Sequence, residues 1–276
     1  MIKKFSLLLT ILMMMSMISG CGDNAAEKIK NSIKIGLIAQ LNTTPEQMDE
    51  VMELMGVDTQ MTYYDTFTSM QMALSSKNID EVQTYKSVAK YMTAQNSQFE
   101  IKKEQTVKLV DSFCCAMRDE DVDLKNDFDS AINAMKNDGA LDNLIKTYIT
   151  DLESDPPTVD IAKIDGADTI KVGVTGDLPP LDLVLANGKP AGFNTAVLSE
   201  ISKRINKNIE LIQIDSAARA AALTSKQVDV IFWVVVPQDD KRPTNMDKPA
   251  GVSVTTSYYQ DEVVNVNLSD LDTAMN

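Results

Sequence analysis

Apolar and polar positions follow two rhythms along this chain. Short runs rich in Ile, Val and Tyr read as strands at residues 33–39, 61–64, 79–82 and 112–117, and again at 170–174, 209–214 and 228–236. Between them apolar residues recur at helical spacing. Met48, Val51, Met52 and Met55 share one face and stop at Gly56. Thr44 opens that helix, Pro45 suits its first turn, and Gln47 completes a capping box. Further helices are expected at 69–74, 87–94, 123–135 and 141–149, the last two broken at Asp138-Gly139, and at 219–223. Another, capped by Asn194 or Thr195, runs to about Ile205. Asn187-Gly188 turns a hairpin within 181–193. Strands alternating with helices predict a parallel α/β architecture.

The rhythm repeats. Ile33-Lys34-Ile35-Gly36 returns as Ile170-Lys171-Val172-Gly173. Ala73-Leu74-Ser75-Ser76-Lys77-Asn78-Ile79-Asp80 returns as Ala222-Leu223-Thr224-Ser225-Lys226-Gln227-Val228-Asp229. The two spans, 47 and 59 residues, differ by about one hairpin, the one at 181–193. Two α/β lobes of like topology are therefore expected, at 33–122 and 169–266. Closing helices at 123–150 and a Pro/Asp/Gly linker at 151–168 separate them, and 267–276 forms a tail. Two such lobes face each other across a cleft, and ligands of parallel sheets bind at the carboxyl ends of strands. Both first strands lead to helix starts, at Thr44 and Asn194. Free N–H groups there favour an anionic group.

Composition narrows the chemistry. The net charge is −14, which disfavours nucleic acid and anionic lipid as partners. The chain has no histidine, which excludes a Ser-His-Asp triad, a His-bearing zinc site and His acid–base catalysis. Cys114 and Cys115 are neighbours that cannot easily pair with each other. They read as small hydrophobes in a buried strand. The methionines read as core filling, so no cofactor and no metal are expected.

The start of the chain has its own pattern. Lys3 and Lys4 precede an apolar run at 5–18, too short to span a bilayer, and then Gly20-Cys21. This resembles a bacterial lipoprotein signal peptide (1–20) with its lipobox. The resemblance implies cleavage before Cys21, diacylglycerol on its sulfur, and a polar tether at 21–32. The mature protein would then sit on the outer face of a cytoplasmic membrane.

The second half carries a further resemblance. Gly176-Asp177-Leu178-Pro179-Pro180, then Asn187-Gly188-Lys189-Pro190-Ala191-Gly192-Phe193-Asn194, then Ala222-Leu223-Thr224-Ser225-Lys226-Gln227-Val228-Asp229 are similar to the first lobe of the polar amino acid-binding proteins of ABC importers. The first half resembles that family's second lobe, in Leu41-Asn42-Thr43-Thr44 and in the segments at 73–82 and 112–149. The resemblance implies a two-lobe Venus-flytrap fold of the type 2 periplasmic-binding-protein kind. The lobes stand in permuted order, and residues 258–266 cross between them. A tandem fragment needing a partner to complete each lobe is the other reading. The function implied is capture of a small polar solute, an amino acid by inheritance, for an ABC permease, with no enzymatic step. The alternative is a sensory or interaction module on the same fold. The family's aspartate for an α-amine falls near Tyr85, and its arginine for an α-carboxylate near Lys241 and Arg242. Leu181 stands where the family has an aromatic residue.

The candidate ligand-binding residues are Asp177, Thr43, Thr44, Tyr85, Phe193, Trp233, Arg219 and Arg242. Asp177 either faces the cleft or stabilises a turn. Thr43 and Thr44 offer hydroxyl and N–H groups, Thr44 also as a cap. Trp233 either stacks on ligand or packs in the core. Tyr85 and Phe193 could line the cleft. Either arginine could grip a carboxylate through two N–H groups, or lie on the surface.

Overall fold

The computed structural model describes residues 32–103, 108–153 and 155–269. The expected leader, Cys21, nearly all of the tether and the end of the tail lie outside the described residues. The N-terminal lobe runs β1 (Ile33–Ile38), α1 (Pro45–Leu54), β2 (Thr59–Tyr64), α2 (Phe67–Ser75), β3 (Glu81–Tyr85), α3 (Lys86–Gln95) and β4 (Phe99–Ile101). Then come β5 (Leu109–Arg118), α4 (Val122–Asp138) and α5 (Ala140–Ile145), the last continuing into a π turn. The C-terminal lobe runs β6 (Thr169–Val174), β7 (Asp177–Leu178), β8 (Asp182–Val184), β9 (Pro190–Ala191), α6 (Phe193–Ile205), β10 (Asn208–Gln213), α7 (Arg219–Thr224), β11 (Val230–Pro237) and β12 (Val252–Val254). Last comes β13 (Tyr259–Leu268).

The fold is α/β, and both lobes hang on one sheet, in the order β10-β6-β11-β5-β13-β3-β1-β2. Each end of it holds three parallel strands, β10-β6-β11 and β3-β1-β2. An antiparallel strand flanks each triplet, β5 beside β11 and β13 beside β3. β5 and β13 pair with each other at the centre, Tyr259 opposite Phe113. β13 pairs β5 through Tyr259–Val263 and β3 through Val263–Val266, so it passes from one lobe to the other. Both triplets and both crossing strands come from this one chain. A core of Met70, Val82, Phe113, Phe128, Val172, Phe193 and Phe232 runs unbroken beneath them.

The sequence repeat is a structural repeat. Lys34 N–H donates to Asp80 Oδ2 at 2.8 Å, and Lys171 N–H to Asp229 Oδ2 at 3.0 Å. Each aspartate's own N–H returns a 2.8 Å bond to the lysine carbonyl. Lys77 and Lys226 both sit in the left-handed region, at φ 59° and 63°. Gly36 and Gly173 are small for one reason. A Cβ there would lie 2.5 Å from Ile79 Cδ1 and 2.9 Å from Ile231 Cδ1.

Several expectations need correction. α6 starts at Phe193 and is capped by Gly192, at φ 93°, not by Asn194 or Thr195. The hairpin explains this. Phe193 and Asn194 N–H groups donate to the carbonyls of Pro180 and Leu181, at 3.0 and 2.8 Å. The first turn is thereby satisfied by backbone, and Asn194 and Thr195 are buried inside the helix. No anion-accepting N–H pair is left there. The third strand begins at Glu81, because Asn78 and Ile79 still donate to Ala73 O in the turn after α2. β4, β7, β9 and β12 are two or three residues long, too short to show a period. The 151–168 linker is partly docked. Thr158 bridges Ala191, and Val159 N–H donates to Pro190 O at 3.0 Å.

Cys114 and Cys115 are buried in β5, and burial pushes the Cys114 thiol up to about 12 and Cys115 well up. Such thiols are inert. No helix among the described residues is long and apolar enough to cross a membrane.

Candidate functional site at the lobe junction

A cavity of about 30 Å³ lies where the two triplets meet. The N-terminal lobe lines it with Gln40, Gln83, Thr84 and Tyr85, β5 with Asp111, and the C-terminal lobe with Trp233 and Arg242. That volume suits water, since a cavity that admits benzene measures ~150 Å³. In this conformation the cleft is filled by the chain's own side chains.

Arg242, almost wholly buried, is neutralised from two sides. Its Nη2 donates to Asp111 Oδ1 at 2.7 Å and to Asp239 Oδ2 at 2.6 Å, and its Nε to Asp239 Oδ2 at 2.8 Å. Tyr85 O–H donates to the other Asp111 oxygen at 3.2 Å. Burial pushes the Asp111 carboxyl above its ordinary range, and Arg242 and Tyr85 pull it back part of the way. Burial acts on Asp239 in the same direction, but bonds from Arg242 outweigh it and hold that carboxyl low.

Arg219 is fully buried, and among the described residues none of its hydrogen bonds goes to a carboxylate. Its guanidinium lies 4.7 Å from the centre of the Trp233 ring. Its donors go to carbonyls: Nη1 to Trp233 at 2.6 Å, Nε to Ser216 at 3.1 Å, and Nη2 to Ala39 at 3.1 Å. The last of these crosses from the C-terminal lobe to the N-terminal one. A bulge in β11 sets up the contact, with Trp233 at φ 78° between Phe232 and Val234. Tyr85 and Phe113 present edges to the indole, at centroid distances of 6.0 and 6.1 Å.

Two carboxylates of the C-terminal lobe also cross the junction. Asp247 Oδ1 accepts from the N–H groups of Asn42 at 2.8 Å and Thr43 at 3.4 Å, on the approach to α1. Its Oδ2 accepts from Val235 N–H of its own lobe at 3.4 Å. Asp177 Oδ2 accepts from Thr68 N–H at 3.4 Å, in the first turn of α2. Burial raises both carboxyls above the ordinary range, and the N–H donors partly offset it.

Of the eight residues nominated from sequence, Tyr85, Trp233 and Arg242 line the cavity. Thr43, Arg219 and Asp177 lie at lobe-crossing bonds beside it. Thr43 Oγ1 and Trp233 Nε1 are buried with no hydrogen-bond partner among the described residues. Thr44 completes the capping box of α1, its N–H donating to Gln47 Oε1 at 2.9 Å. Phe193 is a correction. It is fully buried against Tyr258 and Tyr259, in the core and not in the cavity lining, because α6 begins at least two residues earlier than expected. Neither arginine lies on the surface. Sequence reading missed Asp111, Asp247, Asn42 and the Ala39 carbonyl. Asn42 and Asp247 are 205 positions apart, and no local pattern links them.

The architecture is that of the two-lobe, type 2 periplasmic-binding class, in which paired α/β lobes share two crossing strands. Residues 170–264, about a third of the chain, match the model of the bacterial extracellular solute-binding proteins, family 3. No curated protein sequence matches the chain. Solved structures that resemble it include the ligand-binding component of an ABC-type import system from Staphylococcus aureus with zinc bound. That pair shows 12% identity and a TM-score of 0.43, covering 88% of this chain and 68% of that one. Immunogenic lipoprotein A from Vibrio vulnificus shows 13% identity and a TM-score of 0.41, over 86% and 88%. A periplasmic substrate-binding protein of an ABC transporter from Coxiella burnetii shows 12% and 0.39, over 86% and 85%. Likeness at these scores says nothing about ligand or partner.

Proposed function

We propose that this chain is a solute-binding protein that captures a small polar solute, an amino acid in the simplest case, and presents it to an ABC permease. The observation that carries the reading is the junction cavity, lined by Tyr85, Asp111, Arg242 and Trp233 from both sides of the two crossing strands. The family match over 170–264 supports it. Capture would work by opening at β5 and β13, entry of solute, and closure, with no bond of the solute made or broken. The lobe order, with the family-matched lobe second, fits a circular permutation. Lipidation of Cys21 would hold the protein at the outer face of the membrane.

A thermal-shift screen of the free amino acids tests the ligand. A solute at 100 times its Kd adds ~2.7 kcal/mol, about 5–10 °C for a chain of this size. Melting temperatures unmoved by every amino acid would remove the amino-acid assignment. The second reading is a sensory or interaction module that has lost ligand binding. The self-filled cleft favours it, since Arg242 is already matched by two carboxylates.

A further inference from the structure

We propose that the cleft is latched shut by the chain itself, with Asp247 as an internal occupant of the N–H groups that lead into α1 and Asp177 as a second, weaker tie. The inference deepens the solute-binding reading by naming what a solute must displace.

Three independent features converge. Asp247 is buried and spans the junction, one oxygen on Asn42 and Thr43, the other on Val235. A carboxylate held by several N–H donors is what a helix approach accepts best, and here the carboxylate comes from the opposite lobe. Arg219 makes a second crossing through Ala39 O, three residues before Asn42. Apolar residues cross in both directions. Leu41 of the N-terminal lobe packs with Ile214, Leu223 and Val234 of the other. Met246, adjacent to Asp247, packs against the cluster of Ile35, Met48, Met52 and Met61. Asn42 Nδ2 also donates to Met246 O at 3.0 Å. The segment carrying Asp247 is thus seated by its neighbour as well as by its charge. Asp177 reaches Thr68 N–H at a longer distance, from a half-buried position.

Such contacts keep the binding-competent open form rare. A solute that enters only the open form binds with an affinity reduced by the fraction open, and removing the latch restores it.

Hydrogen exchange on the solute-free protein tests the proposal. In the wild type, the amides of Asn42 and Thr43 exchange at least tenfold more slowly than in Asp247→Asn, while amides of β5 at Cys114 and Cys115 stay equally protected in both. Asp177→Asn accelerates Thr68 by a smaller factor. Asp80→Asn, which removes a carboxylate–amide bond inside one lobe, leaves Asn42 and Thr43 unchanged. The radius of gyration rises in Asp247→Asn and not in Asp80→Asn. Wild-type Asn42 and Thr43 exchanging at unprotected rates would overturn the latch, as would equal rates in wild type and Asp247→Asn. If Asp247→Asn fails to fold, Asp177→Asn with the radius of gyration gives the same decision. No solute is needed, so a failed ligand screen and a failed latch are separate results.

Discussion

The two lobes repeat a scaffold and diverge at its rim. In both, an Ile-Lys-x-Gly strand is pinned by an aspartate 46 or 58 residues later, and a left-handed lysine precedes it. At the loop after the first strand they part. The N-terminal lobe enters α1 through Asn42 and Thr43, whose N–H groups face outward to Asp247, while Thr44 closes the capping box. The C-terminal lobe inserts β7, β8 and β9, and the carbonyls of Pro180 and Leu181 consume the N–H groups that open α6. The N-terminal side therefore offers backbone donors, a carbonyl and the Asp111 carboxylate, and the C-terminal lobe supplies Arg219, Arg242, Asp177 and Asp247. A shared core sets where the rims meet. The loops decide what charge meets there.

If that division holds, substitutions in the C-terminal rim weigh most. Arg242→Ala leaves Asp111 buried without its cation, and we expect a loss of about 3–5 kcal/mol in urea unfolding. The double variant Arg242→Met with Asp111→Leu should lose clearly less than the two single changes added together. Additive losses would mean the pair is not coupled. Arg219→Ala removes a fully buried side chain and strands the carbonyls of Trp233, Ser216 and Ala39, at about 3–4 kcal/mol. On the N-terminal rim, Leu41→Ala should cost about 2 kcal/mol or more, because Leu41 fills the partner lobe's cluster. A loss no greater than that of an exposed alanine substitution would mean the lobes do not interlock. Thr44→Ala, by contrast, removes a helix cap only, at about 1 kcal/mol.

The pH profile separates two sets of carboxyls, and its effect is gentler. Burial raises the carboxyls of Asp111, Asp182, Asp247 and Asp261 above their unfolded values. Their protonation stabilises the folded chain fully below the ordinary range near ~4, and that gain fades as pH rises through the raised values. Asp138, Asp168 and Glu262 have the opposite shift through bonds to Ala140, Lys207 and Lys86, so their stabilisation is lost as pH falls through the lowered values. Melting temperature should therefore rise as pH falls from neutral through the raised values toward the ordinary range near ~4, and fall as pH drops further through the lowered ones. A monotonic fall from neutral pH would contradict the first group.

Much of the scaffold was legible because its signals are local. The Thr44/Gln47 box, the 3.6-residue stripe through Met48, Val51 and Met52, and the paired Ile-Lys-x-Gly strands each lie within a few residues. The crossing strand at 258–266 was legible through family resemblance. The rim was legible only as a set of residue types. Tyr85, Trp233 and Arg242 were named, but Asp111, the partner that Tyr85 and Arg242 share, was not, since pairing across β5 depends on sheet order. Asp247 carries no motif at all, because Asn42 and Thr43, which it joins, lie in the opposite lobe. The start of α6 was misplaced because backbone carbonyls, which every residue has, took the place of a side-chain cap.

Spin labels across the cleft put the central claim to its most direct test. Leu54→Cys and Gln227→Cys place labels on exposed sites of opposite lobes, and the buried thiols of Cys114 and Cys115 stay unreactive. A pair of lobes that opens and closes about β5 and β13 predicts one short distance in the solute-free chain and a longer, broader distribution once Asp247→Asn is added. The same single distance in both proteins would mean that the lobes form one fixed body, and that no solute is captured between them.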